Sequence, residues 1–163
     1  MTRHAFHYRD VGPEELSLIQ ALWERLRDYH AALPGWPFAG EVARATFADR
    51  RRELLDKSRG GALRVELVST RAGDVAPIAY CVTSISASGA GEVDSMFVEP
   101  RWRGHGVGTE SVLRALAWLE TRGAKSKSVA VAYDNLPAMR FYQRLGFVPR
   151  TLRLEHTARH AGQ

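Results

Sequence analysis

Gly104, Gly106 and Gly108 stand at alternate positions in the segment RWRGHGVGTESV (101–112), behind Arg101 and Arg103 and ahead of residues that read as helix. Glycine is entropically costly, and a run of it is kept where backbone bends sharply or approaches something closely. Pro100 ends a strand just before this segment, because proline cannot donate to a ladder. The glycines therefore sit between a strand and the start of a helix. There the first N–H groups have no internal partner and the helix dipole adds partial positive charge. An anion can settle on such amides, and two arginines add full charges. The spacing excludes two familiar phosphate loops. A dinucleotide fingerprint needs its third glycine three residues after the second, and a P-loop needs Lys-Ser/Thr after its last glycine; neither follows here. A tight strand-to-helix turn with no ligand is the remaining alternative to a phosphate or pyrophosphate seat.

The other reactive side chains are less eloquent. Cys81 lies inside a strand with no histidine pattern around it and reads as a packed thiol. His4/His7 and His156/His160 have helical spacing but fall in a strand and near the terminus, so no metal site is expected. His105 reads as an exposed loop position. Trp23, Trp36 and Trp102 are candidates for a substrate cleft, with aromatic packing as the default.

These residues must be positioned by elements that the periodicity supplies. AFHYRDV (5–11) reads as a strand, and Pro13 opens a helix whose apolar residues Leu16, Ile19, Trp23, Leu26 and Tyr29 carry it to about Leu33. A second helix is expected from Glu41 to about Lys57, after the breaker LPGWPFAG. Leu63, Val65 and Leu67 alternate with Arg64 and Glu66 as a strand, RAGD turns the chain, and PIAYCVTSI (77–85) is its antiparallel partner. EVDSMFV (92–98) is the next strand, and alternation would put Glu92, Asp94, Met96 and Val98 on one face. The helix after the glycines carries Val112, Leu116 and Leu119 on one side and closes at Gly123. SVAVAY (128–133) is a further strand. Asn135 caps a helix with Pro137 in its first turn and Gly146 at its end. FVPRTLRLEH (147–156) reads as one or two last strands, and the tail from Thr157 as loose.

At 163 residues the chain is expected to form a single domain, residues 1–163, with 45% apolar and 25% charged residues. No apolar run suits a membrane span, the start MTRHAFHYRD lacks the apolar core of a secretion signal, and one cysteine permits no internal disulfide, so a cytoplasmic setting is expected. Of 23 basic residues three are lysines and the rest arginines, for a net charge of +5. The densest cluster, DRRRELLDKSR, is interleaved with acids and reads as a solvated helix face, so no nucleic-acid partner is expected.

RGHGVG (103–108) fits the R/Q-x-x-G-x-G/A loop of the GNAT superfamily of N-acetyltransferases, which it resembles. EVDSMFVEPRWRGHGVG looks like the family's strand-plus-loop motif over its whole length. VAYDNLPAMRFYQRLGF looks like a second family motif, an Asn before a helix that carries FY and ends LGF. The resemblance spans about Glu92 to Phe147, and the element order agrees with it. It implies an α/β (α+β) fold with a mixed, mostly antiparallel six- to seven-stranded sheet. About four helices would flank it, and its fourth and fifth strands would run parallel and splay apart. A cofactor core would occupy about 63–150 and acceptor-side elements about 13–60.

By the same resemblance, acetyl-CoA is the co-substrate and no metal is used. Its arm would lie between the splayed strands against backbone groups of Phe97 and Val98. Arg103, Gly104, Gly106, Val107, Gly108 and Thr109 would cradle its pyrophosphate, and Asn135 and Tyr142 would line the far wall. The implied reaction is direct acetyl transfer to a primary amine, and a protonated amine needs a base or a water relay. Glu92 and Asp94 are the base candidates, each with a structural carboxylate as its plain alternative. An N–H near Phe97 or Val98 would serve the oxyanion. Tyr142 matches the family's general-acid position, with a core aromatic as its plain alternative. The acceptor would be a small-molecule amine or a peptide or protein amine, shaped by about Leu33–Phe47 and Phe147–His156, with Trp36 and Phe38 lending an apolar wall. Homodimers are common in the family. A catalytically silent CoA-binding module is the competing reading.

Overall fold

Strand patterning in the middle of the chain produces the frame. In the computed structural model, which describes residues 5–71 and 76–157, β1 (His7–Val11), β2 (Ala62–Ser69), β3 (Ala79–Ile85), β4 (Ala90–Val98) and β5 (Ser126–Val129) form one sheet in that spatial order. β1 to β4 are mutually antiparallel and β4 pairs with β5 in parallel. This is the mixed, mostly antiparallel sheet that the resemblance implies. The RAGD turn, His4, His160 and most of the tail lie wholly or partly outside the described residues.

Two layers of helix cover the sheet. On one face a 3-10 turn (Pro13–Ile19), α1 (Gln20–Ala31) and α3 (Phe47–Lys57) bury Leu16, Ile19, Trp23 and Leu54 against Val65, Leu67, Tyr80, Val82 and Phe97. On the other face α4 (Val107–Thr121) packs Val107 near Val68 and Val98, and Ala115 near Cys81, Val93 and Met96. Burying each large aliphatic side chain is worth about 1.5–3 kcal/mol, so both helical layers are held on the sheet by their apolar faces. Arg114 of α4 adds a polar tie. Its Nε donates at 2.6 Å to Glu66, a fully buried acid of β2 that Arg64 also pairs with at 2.5 Å.

Several expectations are corrected. The helix expected over 41–57 is two helices, α2 (Ala39–Arg44) and α3, because Ala45 is extended and the Thr46 side chain accepts the Asp49 N–H at 3.2 Å as a fresh N-cap. Among the described residues there are thus five α-helices, α5 being Leu136–Arg144, one more than the approximate four expected. The first helix begins as a 3-10 turn and becomes α-helical only at Gln20. β5 stops at Val129, not Tyr133, and no strand forms over 147–157, so the described sheet has five strands, not six or seven. Val148, Leu152 and Leu154 of that last segment are exposed, and Pro149 offers no N–H to a ladder.

The most consequential correction lies in β4. Val82 pairs with Ser95 but Thr83 with Val93, leaving Asp94 as the extra residue of a β-bulge. The bulge flips the alternation. Glu92 and Asp94 meet Lys57 of α3, whereas Met96 and Val98 pack on the α4 side. The four do not share a face.

Candidate functional site

Parallel pairing of β4 with β5 ends at Val93–Val129, although β4 runs on to Val98. The two strands part there, and the gap opens into a cleft of about 690 Å³. Its walls are α1 (Trp23, Leu26, Tyr29, His30), β4 from Val93 to Val98, residues 129–132, the glycine loop and α5 (Phe141, Tyr142), with Arg50 reaching in from α3.

Beyond Val93, β4 offers one edge of its backbone to this gap. The Glu99 N–H donates to the Ile78 carbonyl at 3.0 Å, which sets the phase of the antiparallel ladder. Alternation then turns the peptide groups of Phe97 toward β3 and those of Met96 and Val98 toward the gap. The Val98 carbonyl accepts Arg103 Nε at 3.0 Å, and the carbonyl freed at the Asp94 bulge accepts Arg50 Nη2 at 2.7 Å. Phe97 contributes its buried ring, 5.4 Å beneath the Arg103 guanidinium. Met96 carries no polar side chain, which is why its peptide group escaped a reading based on side-chain types.

The glycine loop lies at the end of β4. Gly104 and Gly106 have φ of 77° and 84°, and a Cβ on either would meet nothing within 4 Å. Backbone conformation, not crowding, selects glycine there. Gly106 is the N-cap of α4. The flanking amides are used, Arg103 N–H on the Pro100 carbonyl and Glu110 N–H on the Gly106 carbonyl. Those of Gly104, Gly106, Val107, Gly108 and Thr109 donate to no group among the described residues. An array of unpaired amides, a helix N-terminus and the Arg103 guanidinium suits an anion with several oxygens. Arg101 takes no part, since its Nε turns away to Glu99 at 2.9 Å. His105 is exposed, with Nδ1 2.9 Å from the Arg103 carbonyl.

On the α5 side, Asn135 is buried and ties two helices together. Its Oδ1 accepts the Ala138 N–H at 3.3 Å, capping α5, and the Tyr29 hydroxyl at 3.2 Å. Nδ2 is then left to donate to His30 Nε2 at 3.4 Å, which puts the histidine proton on Nδ1. Burial lowers the His30 pKa, so the ring is neutral near pH 7. Neither tyrosine–asparagine nor histidine–asparagine pairing was legible beforehand, because these partners are more than 100 positions apart in sequence. Tyr142 lines the cleft between Phe141 (5.0 Å between ring centroids) and Phe147 (5.5 Å). Burial raises its pKa strongly, and nearby Cys81 and Tyr80 raise it further, so the phenol keeps its proton.

The acids behave differently from each other. The Asp94 side chain is 1% exposed, with Oδ1 2.5 Å from Lys57 Nζ and Oδ2 without a partner among the described residues. Glu92 pairs with the same lysine at 2.7 Å but is 28% exposed and does not line the cleft. Burial opposes the charge of Lys57, but the hydrogen bonds and charges of Asp94 and Glu92 outweigh it and raise its pKa. Trp23 and Trp102 line the cleft. Trp36 and Phe38 stack edge-on beside it, with Trp36 6.4 Å from His30. Cys81 is wholly buried and its pKa is pushed up to about 12 by burial and the Glu66 charge, so it is no nucleophile. No group of three or more metal-binding side chains occurs among the described residues, and no helix is long and apolar enough to cross a membrane.

Diverging parallel strands beside a glycine-rich helix start define an α/β fold with a cleft at the strand gap. Residues 19–147 match the family model described as Acetyltransferase (GNAT) family, and the chain belongs to that family. An uncharacterised N-acetyltransferase of Methanocaldococcus jannaschii is 30% identical over 94 residues, 58% of this chain and 42% of that protein. The chain thus spans less than half the length of that relative. Among solved structures, a GCN5-related N-acetyltransferase from Ralstonia eutropha aligns with a TM-score of 0.70 at 20% identity, covering 94% of this chain and 99% of that one. The aminoglycoside N-acetyltransferase AAC(6')-Iy in complex with CoA aligns at 0.63 and 18% identity, covering 95% of each. At these identities the structural likeness speaks for the fold.

Proposed function

We propose that the chain transfers the acetyl group of acetyl-CoA to a primary amine. The observation that carries this reading is the set of amides of Gly104, Gly106, Val107, Gly108 and Thr109 without a partner among the described residues, flanked by Arg103, at the mouth of the β4–β5 gap. These residues fit a diphosphate. The peptide groups of Met96 and Val98 fit the amide-bearing arm as an added strand would, with Phe97 acting through its ring under Arg103. Asn135 and Tyr142 form the opposite wall.

Acetyl-CoA supplies the thioester that makes the acetyl carbon electrophilic. The amine nitrogen forms the new C–N bond, the C–S bond breaks, and one proton leaves nitrogen while one reaches sulfur. Asp94 is the favoured acceptor of the first proton, directly or through water, because it is the only carboxylate among the residues lining the cleft. Glu92 acts through Lys57, which it shares with Asp94. The Tyr142 hydroxyl holds the second proton, kept there by its buried setting. An amide N–H of the β4 edge at Val98 would receive the oxyanion.

Calorimetric titration with acetyl-CoA tests the first part, and release of free thiol across an amine panel tests the second. Micromolar binding that is lost on Gly104→Val/Gly106→Val, with amine-dependent thiol release, is the expected result. Absence of binding to the intact protein rejects the reading.

A further inference from the structure

The charge of the cleft narrows the acceptor, an inference that rests on the acetyl-transfer reading. The fully charged side chains lining the cleft are Arg50, Arg103, Arg144 and Asp94. His30 joins them as a neutral ring. The one carboxylate is already paired with Lys57 at 2.5 Å. Nearby acids are also committed, Glu53 to Arg50 at 2.8 Å and Glu99 to Arg25 at 2.6 Å and Arg101 at 2.9 Å. No carboxylate among the described residues pairs with Arg144. The lining is therefore cationic before any substrate enters.

Arg103 belongs to the glycine loop and its guanidinium lies over Tyr29 and Phe97, whereas Arg50 stands on α3 at the Asp94 end of the same β4 edge. Its side chain is 20% exposed and held at two points, Nη2 on the Asp94 carbonyl and Nη1 on Glu53. A guanidinium has five N–H donors, so three remain without a partner among the described residues. A clamped guanidinium with spare donors is preorganised for a carboxylate or phosphate, which it can grip with two hydrogen bonds. A polycationic amine meets the opposite situation. Its extra ammonium groups would enter a partly desolvated cleft beside Arg50 and Arg144, with no free carboxylate to receive them.

We propose that the acceptor is a primary amine that also carries a carboxylate or similar anionic group, which Arg50 recognises, and that polycationic amines are rejected. Trp23, Leu26 and Tyr29, which line the same cleft as Arg50, give the part of the molecule between amine and acid an apolar bed.

The test compares kcat/KM for ω-amino acids of graded length with their carboxamides, and for spermidine and kanamycin, in the thiol-release assay. For at least one length the acid is expected to exceed its carboxamide by about tenfold or more, the worth of one charge-assisted pair, with both polycations below it. Arg50→Gln should collapse that ratio to near unity in a protein that still folds and still binds acetyl-CoA. Arg50→Lys, which keeps the charge but not the fork, should retain part of the ratio. Equal rates for acids and carboxamides at every length, polycations as the best acceptors, or an Arg50→Gln ratio equal to the parent's would overturn the proposal. If acetyl-CoA binds and amines are turned over without preference for acids, the charge inference alone falls. If acetyl-CoA does not bind, the transferase reading falls and takes this inference with it.

Discussion

Arg103 ties the glycine loop to the strand it leaves, through Nε donation to the Val98 carbonyl at 3.0 Å. The same guanidinium lies 5.4 Å from the centroid of Phe97 and 5.8 Å from that of Tyr29, so one side chain spans β4, the loop and α1. The bond leaves other guanidinium donors facing the cleft.

Replacing Arg103 should therefore weaken anion binding and loosen the loop together. Arg103→Ala is expected to raise the acetyl-CoA Kd by about ten- to a hundredfold, the worth of one hydrogen bond to a charged group. Calorimetry measures it. A Kd within twofold of the parent value would remove Arg103 from the site.

The glycines should respond unequally to alanine. Gly106→Ala forces a Cβ onto a φ of 84° and is expected to cost about 1–3 kcal/mol, seen as a fall of several degrees in Tm. Gly108 is helical, and a Cβ there would sit 3.5–3.7 Å from Phe141, Val98 and Met96, ordinary contact distances. Gly108→Ala should raise Tm slightly, since alanine is the better helix former by about 0.5–1 kcal/mol. The new methyl narrows the cleft, so acetyl-CoA should bind more weakly despite the gain in stability. Thermal denaturation with paired titrations separates the two effects.

Tyr142→Phe removes a hydroxyl that has no hydrogen-bond partner among the described residues, so stability should change little. Turnover should fall by about a hundredfold or more if the phenol supplies the proton, with acetyl-CoA affinity nearly unchanged. Unaltered kcat would show Tyr142 to be packing alone.

Glu66 is the hub that Arg64 and Arg114 share. Glu66→Gln leaves the Arg64 guanidinium, whose side chain is 4% exposed, with only Asp10 at 2.8 Å as its acid. Removing one partner of a buried ion pair costs about 3–5 kcal/mol. Chemical denaturation should show a loss of that size, with α4 the helix most loosened in hydrogen exchange.

His30 makes a pH prediction. Its folded-state pKa lies below the ordinary 6.5 because of burial, so the unfolded chain binds the proton first as pH falls. The stability associated with the neutral ring is present above pH 6.5 and is lost as pH drops from there through the folded-state value. His30→Gln should flatten the dependence of Tm on pH below about 6.5. An unchanged slope would mean that the ring is as well hydrated folded as unfolded.

Much of the chain was legible one residue at a time because its signals are local. Pro100, the glycines of 104–108, Asn135 with Pro137, and Gly146 each state a turn or cap by covalent geometry, and the elements they bound appear where expected. The miss at 41–57 was a cap signal of the same local kind, Thr46 three residues before Asp49, hidden by a continuous run of helix formers. The last strand failed for another reason. Alternation in 147–156 describes a segment able to pair, but its apolar residues Val148, Leu152 and Leu154 stay exposed and find no face to cover.

By itself the sequence determined the loop that can seat an anion, the family to which that loop and its flanking motifs belong, and the order of most elements. Only the tertiary structure decided which acid faces the cleft. The bulge at Asp94 arises from the register of β4 against β3, a long-range pairing that no local pattern encodes, and one extra residue reverses every side chain beyond it. The same holds for Arg64 and Glu66, which in the sequence only alternate with apolar residues along a strand. The packing of α4 over β2 buries both, and opposite charges that water would have screened become one of the joints on which the site is hung.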